Sequence, residues 1–285
     1  MKTQILASLV AALIVMGTMS ALAAPDSGSL PAVSAINAKL DMSGGVASGD
    51  PAGLVAGSLT VPVYHDFGVQ LDAGGGTVDE KAITGGAVHA FYRDPSTGLV
   101  GAIAERVWHR SEFYNQFGAE GEYYDGPLTF ATHGGYQNGV NHGGFSAVDV
   151  HWYATDNLAL TPGFSTSGDR VWGRAAVEWQ PDLHDVPPGL AIFSSAGGGN
   201  HGYSFAIAGV RYYFGDHKSL IRRQREDDPD NLVMEGMTSN ASQFQPPTQP
   251  AQAPHCQPPP IAPTLVPVVD GSVINPCGPP PHPIN

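Results

Sequence analysis

The chain has 285 residues, with 13 Lys and Arg against 26 Asp and Glu and a formal net charge of −13. A nucleic-acid footprint needs the opposite sign gathered on one face or stripe, so nucleic acid is excluded as a partner. With 36 Gly, a charged fraction of 14% and an aromatic fraction of 9%, the composition suits short strands joined by many turns.

Residues 1–23 read as a secretory signal peptide: Lys2, an apolar run from Ile5 to Met16, and Ala21 and Ala23 in a small-x-small cleavage site. That run is too short to span a bilayer as a helix, and no later segment approaches the roughly 20 apolar residues that a spanning helix requires. A membrane location therefore implies strands. No Cys follows the cleavage site, so a lipid anchor there is excluded. Cleavage removes Lys2 and leaves 12 basic residues (13 − 1) against 26 acidic ones. Residues 24–32 read as a leader.

Period-two alternation then begins. Ile36, Ala38, Leu40 and Met42 alternate with Asn37, Lys39, Asp41 and Ser43; after the turn signal "SGDPAG" come Val55 to Val63 and then Phe67 to Ala73. Further candidates are Gly85 to Arg93, Leu99 to His109, Phe113 to Tyr124, Leu128 to Gln137, Phe145 to Ala154, Leu158 to Ser165, Val171 to Trp179, Leu190 to Ala196 and Tyr203 to Phe214. This predicts twelve strands and leaves no gap for a helix or a second globular domain. Loop tips are expected near Asn115 and over Tyr136 to Gly144, and the glycine runs at Asp72 to Val78 and Ala196 to Asn200 read as turns rather than phosphate cradles.

The last strand, "YSFAIAGVRYYF", has the form of the closing strand of a barrel: Ser204, Ala206, Ala208, Val210, Tyr212 and Phe214 share one face, and Arg211 sits on the other. Elsewhere the apolar face carries Val88, Ala90 and Tyr92, then Phe117, Ala119 and Tyr123, then Val148, Val150 and Trp152. Small residues lie mid-strand and aromatics at the ends, as in a lipid-facing band with interfacial girdles. The opposite face carries Lys39, Asp41, Asp72, His89, Arg93, Glu120, Glu122, His133, Asp149, His151, Arg174, Glu178 and Arg211. Alternation also fits a soluble sandwich. The signal peptide and the strand-end aromatics favour an all-β, antiparallel transmembrane β-barrel over residues 33–214, with the polar set lining its lumen.

After Phe214 the composition changes. Residues 215–245 read as a charged hinge, and "KSLIRRQR" within it as a solvated linker, the alternative being contact of its four cations with lipid phosphates. Residues 246–285, with 14 prolines, read as a disordered periplasmic tail. It holds the only two cysteines, Cys256 and Cys277, for which a disulfide in an oxidising compartment is the simplest expectation and linkage to another protein the alternative.

Several segments resemble an uncharacterised family of Gram-negative outer-membrane β-barrel proteins: "FGVQLD" at Phe67 to Asp72, "FYRDP" at Phe91 to Pro95, "EGEYY" at Glu120 to Tyr124, "WYATDNLAL" at Trp152 to Leu160 and "GVRYYFGDHKSLIRRQREDDP" at Gly209 to Pro229. The resemblance implies a barrel in the outer membrane and supplies no activity, ligand or catalytic residue.

Enzyme chemistry finds little support. His109 and Ser111, and His217 and Ser219, have the His-x-Ser spacing that places a base beside a nucleophile on one strand, but about one such pair is expected by chance and neither has an evident third member. The 11 His are scattered without H-x-x-x-H or H-E-x-x-H spacing, so no metal site and no cofactor are expected. Two functions stay open. One is a narrow channel that prefers cations, because six carboxylates outnumber four cations among the lumen residues. The other is a structural or surface-binding barrel with a filled lumen, acting through its loops or through a periplasmic partner of the tail. The expected surroundings are outer-membrane lipid; no oligomeric state follows from the sequence.

Overall fold

The computed structural model describes residues 30–244; the signal peptide, most of the leader, the Pro-rich tail and the Cys256–Cys277 pairing lie outside the described residues. Twelve strands follow one another: β1 (Asn37–Ala47), β2 (Asp50–Tyr64), β3 (Phe67–Val78), β4 (Lys81–Asp94), β5 (Gly98–His109) and β6 (Glu112–Asp125). The second half is β7 (Leu128–Gly139), β8 (Gly143–Thr155), β9 (Leu158–Ser167), β10 (Arg170–Trp179), β11 (Leu190–Gly199) and β12 (Ser204–Tyr213). Each pairs antiparallel with its sequence neighbours, and β1 closes on β12 in a register running from Lys39↔Tyr213 to Ala47↔Phe205. Closure satisfies the backbone of every strand and leaves no sheet edge, the condition for crossing a bilayer with strands.

The predicted number of strands is the observed one, but the strands run further than their hydrophobic pattern. Asp50 to Leu54 belong to β2, and the glycine run Gly74–Gly76 is paired strand on both sides, against β2 and β4. Asn115 is mid-strand opposite Arg106 and Asn138, and Tyr136 to Gly139 belong to β7. Ladder partners on both sides override the weak strand propensity of glycine, so the hairpins narrow to two residues wherever positive φ allows. Ser48–Gly49 (φ 54° and 90°) and Asp79–Glu80 (φ 52° and 54°) place both central residues in the left-handed region, as a type I′ hairpin requires.

Both ends of the barrel domain, Asn37 and Tyr213, lie at one end of the cylinder together with the connections at 65–66, 95–97, 126–127, 156–157 and 180–189. In single-chain barrels this is the periplasmic end, here called inner. The outer end carries only the connections at 48–49, 79–80, 110–111, 140–142, 168–169 and 200–203, so no long loop stands on the outer surface.

Outside, the strands present Val100, Val148, Ile192 and Val210 to the surroundings, each at least 44% exposed, with Tyr64, Tyr92, Tyr123, Trp152 and Trp179 near the inner rim and Trp108, Tyr136 and Phe164 toward the outer one. An apolar belt of this extent on a water-soluble protein would drive aggregation; in a bilayer it is the lipid contact. No described helix is long and apolar enough to cross a membrane.

Residues 215–244, nearly all of the expected charged hinge, fold into the barrel. After Phe214, whose amide bonds to the Ala38 carbonyl (2.9 Å), the chain forms α1 (Leu220–Glu226), α2 (Leu232–Met237) and a 3-10 turn (Ser239–Phe244), and these fill the barrel. Leu232, Val233, Met234 and Met237 join Leu54, Ile83, Val107 and Phe205 of the wall in one core. The helix α2 is apolar nearly all round, as a helix buried on every side must be, and it starts on an Asn231 side chain that accepts from the Met234 amide (2.9 Å).

Candidate functional site: the lumen and its plug

The thirteen residues expected on the inward face all project into the barrel, and most are engaged there by one another or by the plug. At the inner end α1 forms a collar. Arg225 donates to the Leu128 carbonyl (2.6 Å) and to Thr129 Oγ1 (3.0 Å) while stacking over Tyr124, and Arg223 donates to Gln180 Oε1 (2.9 Å) over the Tyr213 ring. Tyr153 donates to Gln224 Oε1 (2.6 Å), and the Ile221 amide bonds to the Asp156 carbonyl (3.1 Å). Lys218 is held by Glu226 (3.1 Å) and Asp227 (2.7 Å). Of the four cations expected in a solvated linker or on lipid phosphates, only Arg222 keeps more than half of its side chain exposed, and it pairs with Glu226 one turn on (2.7 Å).

Mid-lumen, the extended residues 227–231 cross a polar girdle. Lys39 Nζ donates to the Pro229 carbonyl (2.6 Å), Thr60 Oγ1 to Asp228 Oδ1 (2.8 Å), and Asn231 Nδ2 to Ser58 Oγ (2.9 Å). Gln70 Nε2 reaches the Pro229 and Asp230 carbonyls (3.3 Å each). Asp72 accepts from the Leu232 amide (3.0 Å) and from Gln70 (2.9 Å), and faces His89 Nε2 (3.1 Å), whose Nδ1 lies 2.8 Å from Glu120.

A second network lies on the β8–β12 side. Arg174 binds Asp149 through two nitrogens (2.9 and 2.5 Å) and Glu235 of α2 through a third (3.2 Å); His133 stands 3.9 Å from the same Glu235, and His151 3.4 Å from Asp230. Arg211 grips Asp41 with two bonds (2.6 and 3.0 Å) and Glu178 with one (2.6 Å), and Glu178 also accepts from Tyr213 (2.7 Å) and Gln224 (3.3 Å). Buried charges persist only when paired and hydrogen-bonded; the wall supplies much of that pairing itself, and the plug adds Glu235 to Arg174, Gln224 to Glu178 and Asp230 to His151. Arg93 lies over Phe91 at the inner end, donating to the Ala32 carbonyl (3.4 Å), and Glu122 accepts from Tyr124 (2.6 Å); neither is in hydrogen-bond contact with the plug.

In the inner-end collar, burial lifts the Glu226 carboxyl, but Arg222 and Lys218 prevail and leave it lowered.

Toward the outer end the contacts turn apolar. Gly74 and Gly85, opposite one another in the β3–β4 ladder, leave the space α2 occupies: a Cβ on Gly74 would stand 2.8 Å from Met237 Cε, and one on Gly85 3.0 Å from Val233 Cγ1. Conversely, a Cβ on Gly236 of α2 would meet Glu105 Oε1 at 2.1 Å and Tyr114 Oη at 2.5 Å. Between the plug and β8–β12 remains a cavity of about 120 Å³ bordered by His151, Arg174, Glu178, Arg211, Asp230 and Glu235. At roughly 30 Å³ each it holds about four waters.

Sequence reasoning missed the plug's own residues, Asp228 to Asn231 and Glu235, and the wall's Ser58, Thr60, Gln70 and Glu105. The wall residues share the inward parity of their charged neighbours and were legible by period two alone. His109 and Ser111 lie at the outer rim, with His109 against the Phe244 ring (5.4 Å), and Ser219 stands at the N-cap of α1. Among the described residues no group of three or more His, Cys, Asp or Glu is disposed to hold a metal ion.

No family model matches the chain, and no curated protein matches it. Solved structures do. A KdgM porin in complex with disordered oligogalacturonate shares 10% identity, covering 62% of this chain and 99% of that one with a TM-score of 0.50. The outer membrane protein Omp33 of Acinetobacter baumannii shares 10%, over 63% and 98%, with a TM-score of 0.43. At such identity the likeness speaks to the fold alone. The chain has the fold of the Gram-negative outer-membrane β-barrels, and the apolar belt around its twelve strands sets it in that membrane.

Proposed function

We propose that this is a non-enzymatic outer-membrane barrel held shut by its own C-terminal segment, whose lumen charges seat that segment rather than conduct. The observation that carries the reading is the run of contacts from Lys39 and Pro229 through Asp72 and Leu232 to Arg174 and Glu235, in which wall charges find their partners on the plug. Of the two functions open from the sequence, the filled barrel is favoured. Short outer connections leave little surface for binding through loops, so the segment that fills the lumen is the part of the chain through which the barrel acts.

The oligogalacturonate named for the KdgM structure does not carry over. Carboxylates outnumber cations on the inward face, six against four among the thirteen expected residues with Glu105 and Arg170 adding one of each, which repels a polyanionic sugar. A cation-preferring path is supported as a second reading by the polar cavity beside β8–β12, and it requires the plug to move.

The test is planar-bilayer conductance of the purified, refolded full chain. A barrel that migrates as a heat-modifiable band yet gives no sustained conductance supports the closed reading. Long-lived ohmic steps from the unaltered chain overturn it. Rare openings that select cations, and lose that selectivity in Glu120→Gln/Glu122→Gln, support the second reading.

A further inference from the structure

The plug has a direction. It starts at the inner end, where Leu220 and Ile221 bond to the 156–157 connection and Arg225 to the start of β7. It crosses the middle of the barrel at Asn231 and Leu232, which meet Ser58 of β2 and Asp72 of β3. It finishes at the outer end: Tyr203, in the 200–203 connection, donates to the Thr238 carbonyl, and Phe244 packs its ring against His109 (5.4 Å) and Tyr114 (5.6 Å), which flank the 110–111 connection. The 31 residues from Phe214 to Phe244 thus lead from the periplasmic mouth to the outer one.

A chain that has reached the outer mouth has one route back, through the lumen, and the lumen is occupied. The cavity between the plug and β8–β12 has room for a few waters, not for a second pass of polypeptide. We propose that the barrel threads its own C-terminus across the outer membrane and presents the chain beyond Phe244, with Cys256 and Cys277, at the cell surface. This segment carries 14 prolines over residues 246–285, no Lys or Arg, and Asp270 as its single acidic residue, so what it presents is proline-rich and almost uncharged. The partner of the tail then lies outside the cell, not in the periplasm. The charged girdle has a second use in this arrangement: it holds the threaded segment in register, so that the chain emerges at a fixed point.

The proposal rests on the plug occupying the lumen, and the two readings fail differently. An open lumen appears as conductance; a periplasmic tail appears as cysteines shielded in intact cells. The unaltered sequence supplies the probe, because its only two cysteines lie in the tail. Intact cells carrying the full chain are treated with a small reductant and then with a maleimide on a poly(ethylene glycol) too large to pass the outer membrane. In parallel, cells with a permeabilised outer membrane and denatured samples are labelled, and Cys256→Ser/Cys277→Ser serves as blank. A mobility shift in intact cells equal to that after permeabilisation is expected. A shift that needs permeabilisation places the tail in the periplasm and overturns the proposal, and so does a shift that needs denaturation. An epitope fused after Asn285 gives the same decision without thiol chemistry, bound by antibody on intact cells or only on permeabilised ones.

Discussion

Asn231→Ala tests how the plug is held, because Asn231 does two jobs from one side chain. Its Oδ1 caps α2 by accepting from the Met234 amide (2.9 Å), and its Nδ2 donates to Ser58 Oγ on the wall (2.9 Å). Loss of an N-cap costs about 1 kcal/mol, and loss of a buried neutral hydrogen bond about another 1 kcal/mol, Ser58 being left with its hydroxyl buried. The sum, about 2 kcal/mol, is about a 30-fold shift in the equilibrium between seated and unseated plug. Barrel strands are not touched. Hydrogen exchange followed by mass spectrometry on the full chain in detergent or nanodiscs reads this as a change in protection. Amides of residues 232–237 are expected to exchange about 30-fold faster, with mid-strand amides of β2 and β3 unchanged. Unaltered protection of 232–237 refutes the seating argument, and equal acceleration in the strands shows that the plug has no opening of its own.

Gly236→Val drives a side chain into Glu105 and Tyr114, a misfit of about 1–3 kcal/mol; brief openings absent from the unaltered chain are expected in planar bilayers, and a silent trace argues against a plug that blocks the pore. Arg174→Met leaves Asp149 and Glu235 without their shared cation, and breaking such a buried arrangement costs about 3–5 kcal/mol; protection of α2 is expected to collapse while the heat-modifiable barrel persists, and full protection sinks the idea. Glu226 has a lowered pKa when α1 is docked, so its contribution is complete above the unfolded carboxylate range and is lost as pH falls below about 4. Protection of residues 220–226, corrected for intrinsic exchange, is expected to drop over that acid range and to lose this dependence in Glu226→Gln; an identical pH profile in the variant contradicts the assignment.

The twelve strands were legible because a wall between lipid and a polar interior imposes strict alternation, and Lys39, Asp41, Asp72 and Arg211 all took the parity that their apolar neighbours predicted. Strand ends were less legible: Asp50, Pro51 and Gly74–Gly76 carry turn chemistry, yet partners on both sides hold them in the ladder. The plug was hidden for a different reason. "LVMEGM" is shorter than two helical turns and shows no readable period, and the acidic run before it looks solvated until wall cations such as Lys39 and Arg174 are placed opposite. Ser58, Thr60 and Gln70 were passed over because they are uncharged, although they seat the plug as directly as any ion pair.

The occupied lumen is tested most directly by a cross-link between wall and plug. Gly85 of β4 and Val233 of α2 are near enough that a Cβ on the first would lie 3.0 Å from a methyl of the second. In a Cys256→Ser/Cys277→Ser background, Gly85→Cys/Val233→Cys is expected to form a disulfide in cells without added oxidant, seen as a mobility change that reductant reverses. Gly85→Cys paired instead with Ile192→Cys on the outer face of β11 is expected to give none. Two free thiols in a correctly assembled Gly85→Cys/Val233→Cys barrel would contradict the account.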